Sequence, residues 1–565
     1  MSATSSISRS GLCSLSVELL VLVFGLLRHK DILNCSAVIT NTISLQYELE
    51  LAVDGLIRCD SERPLTTSQQ LRDLLDRRSR WRTLDWSRMQ RIPSGAHTGI
   101  FDFSSAGTLV EIENKLNETY DVSEVLLKVL SFHENGEPMA ENIYQIDTGT
   151  TNDGEVIKIH HVITQPQNDL VLLVEEARMD TVPASDDEYN GSDFELDESL
   201  EPVPIRIHLR SFSSGGREPH PKCCRSVIEY DLLSCDGEPE VCKISLEWDV
   251  IGAIVGSGDQ DLVLWSAYTG GKLAELPLTA GNYEAFDFSF VSSTCFIAVS
   301  STLKSNVFID SIDIFTFGPG AAGIVWPPSA RKKRTTLRLV ASLCLPQRAA
   351  NQPGLELDLT TGRFSDEPPA GFNTPFITAS DSHIYAVRAR ASDDSDAPGL
   401  GIVVHRNTIL SHLAKHLSPP VPTTRRFIPW EEWGPQNTRC FRVGSMSREC
   451  NQFVHGERVV WPIQDDTGRL VVEVMDFNTR GKYRATESSE SRGVPTSSTS
   501  HLVTESSSIY IPECFERPII SQLPYYTIPL ADAAPGEMFA LNEQGLLRAK
   551  MSEHRDVRKM EVFSI

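Results

Sequence analysis

The sequence predicts an α+β protein of several domains, in which a small N-terminal α-helical unit precedes a large all-β domain. The chain has 565 residues, and a single domain usually has about 150, so two or more units are expected. Residues 15–90 place apolar side chains three and four positions apart, which is the spacing of a helix face. Over residues 91–565, short apolar runs alternate with Gly, Pro, Ser, Asn and Asp, which is typical of strands and turns.

The balance of charges limits the partners of the chain. Lys and Arg number 52, and Asp and Glu number 76, so the formal net charge is −24. Nucleic acid and anionic membranes repel a chain this acidic, and we expect neither as a partner. The sequence also has no apolar run of about 18 residues, which a transmembrane helix would need.

Cysteine usage favours a reducing compartment, the cytoplasm or the nucleus. The twelve cysteines are few for this length, and no C-x-x-C pair occurs. The apolar run LLVLVFGLL at 19–27 could be taken for the core of a signal peptide. Glu18 adjoins this run and no small-x-small cleavage site follows it, so a buried helix is the better interpretation.

The first helix of the N-terminal unit is predicted to be apolar on every side. Residues 1–14 are predicted to be a disordered tail. Ser16 can cap the helix that follows, and Glu18 favours the positive end of its dipole. A helix that is apolar all round has to be covered, either by the downstream domain or by another protein.

The residues that follow add a second short helix. A polar break at residues 28–30 precedes Asp31, which can cap a helix containing Ile32 and Leu33. A helix, a polar break, a cap and a short helix, in this order, resemble an F-box. The residues in register with the usual pattern of that family are Leu15, Glu18, Leu19, Leu20, Val23, Phe24, Leu27, Lys30, Asp31, Ile32, Leu33 and Val38.

The sequence departs from the F-box pattern at two places. Ser16 stands where the family usually has Pro. After Val38, residues 39–43 are rich in β-branched side chains, which are poor helix formers. We therefore expect a shortened third helix, which would weaken the docking surface.

Three further segments resemble the F-box proteins that are abundant in mushroom-type fungi: SLQYELELAVDGL (44–56), LTTSQQLRDLLDRRSRWRTLDW (65–86) and GDQDLVLWSAYTG (258–270). The second of these predicts a helix on physical grounds, with Thr67 as its cap and Gln70 as the capping-box partner. Trp81 and Trp86 are expected to anchor the helix end on the next domain, while the neighbouring arginines stay in solvent. A nucleic-acid surface is the alternative for this basic stretch.

The clearest unit of the β domain is residues 243–276, which predict strand, turn, strand, turn, strand. Its LVLW run and Thr-Gly turn resemble a blade of a WD-type propeller, and residues 401–410 and 468–481 are weaker matches. The resemblance implies a divergent propeller, but no period of about 40 residues is clear, so another β assembly is the alternative. Disordered insertions are predicted near residues 180–201 and 479–500. Further strands are predicted within 122–132, 155–164, 170–176, 203–212, 286–291, 295–300, 312–317, 337–345, 383–390, 401–407, 456–463 and 470–477.

The sequence contains no pattern that predicts catalysis, a metal or a cofactor. It has no G-x-S-x-G, no phosphate-binding loop and no dinucleotide fingerprint. One group of histidine and cysteine residues has a spacing that fits zinc poorly: His220, Cys223, Cys224, Cys235 and Cys242.

The resemblance implies a substrate-receptor subunit of an SCF-type E3 ubiquitin ligase, without catalytic residues of its own. It would bind a Skp-type adaptor and through it a cullin, and its β domain would bind an unknown protein substrate. The alternatives are an F-box-derived scaffold that no longer binds the adaptor, and an enzyme with an N-terminal helical cap. The candidate adaptor-binding residues are Leu15, Leu19, Leu20, Val23, Phe24, Leu27, Ile32, Leu33 and Val38.

Overall fold

The computed structural model describes most of the chain from residue 42 onward. The predicted tail at 1–14, the helices predicted within 15–38, the segment 180–201 and residues 482–499 of the second predicted insertion lie outside the described residues. The described ranges are 42–59, 65–86, 88–92, 101–103, 108–116, 122–131, 140–149, 156–175, 203–232, 240–256, 260–319, 321, 324–325, 337–349, 354–364, 375–391, 399–417, 425–444, 452–465, 467–481, 500–512, 514–530, 533–534, 537–551 and 557–564.

Among the described residues, two helices precede the β domain and two lie within it. They are α1 (Thr42–Asp54), α2 (Thr67–Thr83), α3 (Arg406–Leu417) and α4 (Trp430–Asn437). Thr42 and Ile43, two of the β-branched residues that follow Val38, lie in the first turn of α1. The match of residues 401–410 to a propeller blade is wrong after His405, because α3 begins at Arg406.

The β domain begins with three four-stranded antiparallel sheets whose strands follow one another along the chain. Sheet 1 contains β3 (Phe101–Phe103), β4 (Thr108–Leu116), β5 (Val122–Ser131) and β6 (Ala140–Ile146). Sheet 2 contains β7 (Ile159–Gln165), β8 (Leu170–Glu175), β9 (Val203–Ser211) and β10 (Val227–Leu232). Sheet 3 contains β11 (Glu240–Glu247), β12 (Val250–Gly256), β13 (Asp261–Ser266) and β14 (Lys272–Pro277).

Sheet 4 repeats this order with additional short strands at its margins. Its four long strands are β16 (Tyr283–Ser292), β17 (Cys295–Lys304), β18 (Val307–Thr316) and β20 (Arg338–Cys344). The marginal strands are β15 (Thr279–Ala280), β19 (Ile324–Val325) and β25 (Phe427–Ile428).

The next two groups of strands are joined by a single residue pair, Val443 with Ile463. Sheet 5 contains β21 (Leu355–Thr361), β23 (Ile384–Ala391), β24 (Gly399–His405) and β26 (Thr438–Val443). Sheet 6 contains β27 (Val454–His455), β28 (Arg458–Gln464), β29 (Leu470–Asp476), β33 (Tyr525–Pro529) and β30 (His501–Val503). A separate hairpin is formed by β31 (Ser507–Ile509) and β32 (Ile519–Ser521).

Sheet 7 combines the two ends of the β domain. It contains β34 (Met538–Leu541), β35 (Gly545–Met551), β36 (Val557–Ser564) and, beside β36, the early strand β2 (Arg88–Ile92). The predicted boundary between the helical unit and the β domain, at residues 90 and 91, therefore falls inside a strand of this sheet.

Buried apolar side chains connect each sheet to the next. Four clusters lie between consecutive sheets: between sheets 1 and 2, between sheets 2 and 3, between sheets 3 and 4, and between sheets 4 and 5. Another cluster spans sheets 5, 6 and 7. The last cluster returns from sheet 7 to sheet 1, where Met538 and Leu547 pack with Phe103 and Leu109. The domain is therefore predominantly β and propeller-like.

A buried network of polar side chains surrounds Asp102 of β3. The Asp102 side chain is 1% exposed. Its carboxylate accepts hydrogen bonds from the backbone N–H and the hydroxyl of Thr164 at 2.7 and 2.6 Å, and from Gln452 at 2.5 Å. Arg363 forms an ion pair with the same carboxylate and also donates to the carbonyl oxygen of Thr164. These residues belong to β3, to β7, and to the segments after β21 and before β27, so the network joins sheets 1 and 2 to sheets 5 and 6.

Candidate functional site at the junction of the helices and the β domain

The predicted adaptor-binding residues, Leu15 to Val38, all lie outside the described residues. The part of the N-terminal unit that the structure describes is α1, the strand β1 (Leu56–Arg58), and α2. These elements connect directly to the predicted adaptor-binding segment. The surface by which they contact the β domain is therefore the candidate functional site.

The helical unit shares its apolar core with a distant part of the chain. Tyr47, Leu51, Leu56 and Leu74 pack with Phe376 of β22 (Phe376–Thr378). β1 pairs antiparallel with β22, and the Tyr47 hydroxyl donates to the carbonyl oxygen of Pro375 at 3.2 Å. Residues 375–378 precede β23 in sheet 5, so the β domain supplies one wall of the helical core. Their sequence gave no signal of this role, because the contact spans more than three hundred residues of chain.

The N-terminus of α2 lies one residue from its predicted position. Thr66, not Thr67, is the cap, and Gln69, not Gln70, completes the capping box. The Thr66 side chain accepts a hydrogen bond from the Gln69 backbone, while the Gln69 side chain accepts one from the Thr66 backbone. Gln70 is buried. Two consecutive threonines and two consecutive glutamines offer the same capping pattern in two registers, and burial of the apolar face selects between them.

The end of α2 is anchored by its tryptophans, as predicted. Trp81 is 2% exposed, and its ring lies edge-on to Trp86 with the centroids 5.8 Å apart. Trp86 in turn contacts Phe563 of sheet 7. The guanidinium of Arg458, on β28, lies 4.6 Å from the centre of the Trp81 ring. These contacts tie the helix to sheets 6 and 7.

A buried glutamate in the turn between β34 and β35 holds the helix in place. The Glu543 carboxylate pairs with Arg77 of α2 at 2.7 Å and with His455 of β27 at 3.2 Å. It also accepts a 2.5 Å hydrogen bond from the backbone N–H of Thr378, next to β1. The positive partners outweigh the cost of burial and lower the pKa of Glu543. One carboxylate thus connects α2, β22, β27 and sheet 7.

Arg72 of α2 is exposed, as the sequence predicts, whereas three other arginines of this helix are engaged by the protein. Arg78 pairs with Asp54 and Glu50 of α1, both at 2.7 Å, and its side chain is 17% exposed. Arg77 is equally enclosed, at 12%. Arg82 lies over the ring of Tyr526. Since these side chains are engaged by carboxylates or by an aromatic ring, the basic stretch serves the junction.

A second buried carboxylate lies beside the end of α1. Glu457, in the turn between β27 and β28, is 2.7 Å from Arg480 and 3.4 Å from the Nδ1 atom of His405. Burial raises the pKa of Glu457 to about 7, and burial together with Arg480 lowers the pKa of His405 to about 4. Gly55 ends α1 at a φ of +66°, where a Cβ atom would come within 2.7 Å of Ser382 and Arg480. The chain therefore needs glycine at this contact.

Replacing Glu457 with glutamine should change how stability depends on pH. An unfolded Glu has a pKa of about 4.3, so between that value and about 7 the folded protein holds a proton that the unfolded chain releases. The wild type should lose stability across this window as the pH rises. Glu457→Gln should not, and its advantage should reach about 3 kcal/mol by pH 8. Urea unfolding between pH 4.5 and 8 measures this, with the exposed Glu229→Gln as a control. An unchanged pH dependence would contradict the prediction.

The junction can position two units relative to one another. A cleft lies between α2 and sheet 6, and it is lined by the ion pair of Arg78 with Asp54 and by the 3.0 Å pair of Arg458 with Asp476. Asn478, directly after β29, donates to the carbonyl oxygen of Val53 on α1. Turns of sheets 6 and 7 and the start of sheet 5 all contact the helices, so the helices lie at one end of these sheets.

The histidine and cysteine group noted in the sequence is dispersed. His220 and Cys223 are in contact, whereas Cys242 accepts a hydrogen bond from Gln260, and Cys235 lies outside the described residues. Within the described ranges, no three His, Cys, Asp or Glu residues are arranged to hold a metal ion. No helix in the same ranges has the length and apolarity that a membrane crossing requires.

Comparisons with known proteins do not assign the chain to a family. No protein-family model matches it, and no curated protein matches it. It is similar to a chain of the mitotic checkpoint complex, with a TM-score of 0.34 and 8% identity, over 85% of this chain and 94% of that one. For AztD of Citrobacter koseri the TM-score is 0.28 and the identity 9%, over 84% of this chain and 87% of that one. For Hsv2 of Kluyvelomyces marxianus the TM-score is 0.14 and the identity 10%, over 39% of this chain and 93% of that one. TM-scores this low do not establish a shared fold. The fold of this chain is therefore described from its own strand pairings.

Proposed function

We propose that the chain is the substrate-receptor subunit of an SCF-type E3 ubiquitin ligase that acts in the cytoplasm or the nucleus. Residues 15–38 would bind a Skp-type adaptor and through it a cullin, and the β domain would bind a protein substrate. The resemblance of residues 15–38 to an F-box motivates the proposal. The junction supports it, because the elements that directly follow this segment are tied to the β domain by buried ion pairs.

A fixed junction is what such a receptor requires. The ubiquitin-transferring subunits bind at the adaptor end, so a substrate on the β domain must be held at a defined position relative to residues 15–38. Glu543 supplies that connection at one end of sheets 5 to 7 through its ion pair with Arg77 of α2. We also infer that the seven sheets close into a complete propeller. The pairing of β2 with β36 and the packing of sheet 7 on sheet 1 support this inference.

Co-purification of the full chain with a Skp-type adaptor tests the proposal. The parent should retain the adaptor through size-exclusion chromatography, whereas Phe24→Asp and Leu20→Asp should lose it, because each places a charge in the apolar contact. Ile143→Asp is the matched control, since Ile143 is 55% exposed on β6 of the β domain. Unchanged thermal unfolding of the variants should accompany the binding assay.

Each outcome of this experiment separates the candidate functions. Binding by the parent and the control, with loss in both variants, supports the receptor. Absence of binding by the folded parent overturns it in favour of an F-box-derived scaffold, whose apolar helix would pack on its own β domain. Retention by the two variants would place the adaptor contact elsewhere.

A further inference from the structure

The connection between β9 and β10 brings an imidazole and a thiol together on the surface of sheet 2. His220 is 3% exposed, Cys223 is partly buried, and the next residue, Cys224, is exposed. The backbone is held on both sides: the N–H of His220 donates to Leu209 at 3.0 Å, and that of Cys224 to Tyr268 at 2.7 Å. The sulfur of Cys223 lies 3.3 Å from the Nδ1 atom of His220.

The neighbours of His220 determine which ring nitrogen carries the proton. Nε2 lies 2.9 Å from the carbonyl oxygen of Asn168, which can only accept, so Nε2 is the protonated nitrogen. The backbone N–H of Lys222, which can only donate, forms a hydrogen bond to Nδ1 at 3.3 Å. Nδ1 is therefore the unprotonated nitrogen and acts as an acceptor. The thiol of Cys223 therefore donates to Nδ1. A nucleophile, a base, and a third group that orients the base form an arrangement typical of activated thiols.

We propose that His220 is the base that activates Cys223 as a nucleophilic thiol, and that the thiol exchanges with small anionic disulfides. Nδ1 takes the proton from Cys223, whose sulfur forms a bond to one sulfur of the disulfide. The bond between the two disulfide sulfurs breaks, and the second sulfur leaves as a thiolate that recovers the proton from the imidazolium. The products are a mixed disulfide on Cys223 and one small thiol, and no further oxidant is needed.

The resting state of the thiol explains why a base is required. Burial raises the pKa of Cys223, and Cys224 adds to the effect, so the thiol is protonated at neutral pH. Without a base it would react slowly, because the thiolate is the nucleophile. Transfer of the proton to Nδ1 during attack removes this barrier.

The surrounding charges favour an anionic disulfide over a neutral one. Lys222 and Arg225 flank the two cysteines and are both exposed. Lys222 and Arg225 lie within two residues of Cys223 along the chain and carry positive charge on this turn, which favours the approach of carboxylate-bearing reagents. The selectivity should weaken at high ionic strength, because these charges are exposed to solvent.

Cys224 offers a matched control in the same protein. Cys224 directly follows Cys223 in the chain and is more exposed. The hydrogen bonds to Nδ1 come from Lys222 and Cys223, and the sulfur of Cys224 is not among them. Exposure alone predicts that Cys224 reacts faster, whereas the proposal predicts that Cys223 does. Brief treatment of the reduced full chain with dithiobis(nitrobenzoate) at pH 7, followed by fragment mass spectrometry, measures the labelling of each residue. Faster labelling of Cys224 would overturn the proposal.

His220→Gln in a Cys224→Ser background tests the base directly. Glutamine can still donate to Asn168 and accept from Lys222, but it cannot take a proton from the thiol. We expect labelling of Cys223 at pH 7 to fall at least tenfold, in the range of general-base effects of about 10²–10⁴. If His220 only held the loop closed, its replacement would expose Cys223 and increase the labelling, which would contradict the proposal. Labelling of Cys242 and the unfolding transition of each variant control for general loosening.

The charge selectivity has its own measurement. Lys222→Gln should slow labelling by dithiobis(nitrobenzoate) several-fold and leave labelling by the neutral dithiodipyridine unchanged. Equal effects on both reagents would remove the anionic class from the proposal. The outcome is independent of adaptor binding, since sheet 2 is not part of the junction with the helices.

Discussion

Asp102→Ala is expected to lower the free energy of unfolding by about 3–5 kcal/mol, which is typical for breaking a buried and hydrogen-bonded ion pair. The substitution would leave the guanidinium of Arg363 without its carboxylate. It would also remove the acceptor for the Thr164 backbone and for Gln452. Since these contacts connect sheets 1 and 2 to residues of sheets 5 and 6, the loss should affect several sheets of the domain. Urea unfolding followed by tryptophan fluorescence measures it.

A surface ion pair provides the comparison. Glu229 pairs with Arg206 at 2.9 Å, but its side chain is 60% exposed, so Glu229→Ala should cost no more than about 0.5 kcal/mol. The cost of Asp102→Asn in free energy of unfolding should lie between those of Asp102→Ala and Glu229→Ala, because asparagine lacks the charge but keeps one acceptor oxygen. Equal costs for Asp102→Ala and Glu229→Ala would show that the central network contributes nothing beyond a surface pair.

Glu543→Gln is expected to release the helical unit from the β domain, at a cost of about 3 kcal/mol or more. Glutamine keeps the shape but removes the charge that neutralises Arg77. Hydrogen exchange should accelerate in α2 and in the paired strands β1 and β22. Exchange in β12 and β13 of sheet 3 should stay as in the parent, because these strands belong to a separate apolar cluster.

The effect of Glu543→Gln should depend on pH in a defined direction. The folded protein lowers the pKa of Glu543, so its contribution is complete above the unfolded value of about 4.3 and is lost as the pH falls below it. Parent and variant should therefore differ most at neutral pH and converge in acid. Glu124→Gln, in the partly exposed pair with Lys115, is the control. If hydrogen exchange accelerated equally in all the sheets, the substitution would destabilise the whole protein, and the predicted release of the helical unit would be contradicted.

Prediction from the sequence was most successful where the signals are local. The strands predicted within 170–176, 203–212 and 337–345 are present as β8, β9 and β20, and residues 243–276 lie in sheet 3, which has four strands where three were predicted. Each combines an apolar run of strand length with flanking turn residues. The helix at 65–86 was identified for the same reason, and its cap was misplaced by one residue because Thr66 and Thr67 are equivalent in the sequence alone.

Prediction failed where distant residues meet. Phe376 completes the core of the helical unit, and nothing in its own segment indicates this role. The interaction of Gln452 with Asp102 spans 350 residues, and that of Arg77 with Glu543 spans 466. No periodicity or spacing encodes such a partner. Likewise, α3 directly follows a strand whose apolar run suggested another propeller unit, and its packing against β20 gives it a helical conformation.

A capped helix followed by two tryptophans and a long series of short strands could be predicted from the sequence, because helix and strand periodicity, capping and turn chemistry act over a few neighbouring residues. The assignment of strands to sheets, the burial of particular carboxylates and the attachment of the helices to the β domain could not be predicted in this way. Burial and ion pairing depend on the low-dielectric surroundings that the folded chain creates, and residues hundreds of positions apart provide those surroundings.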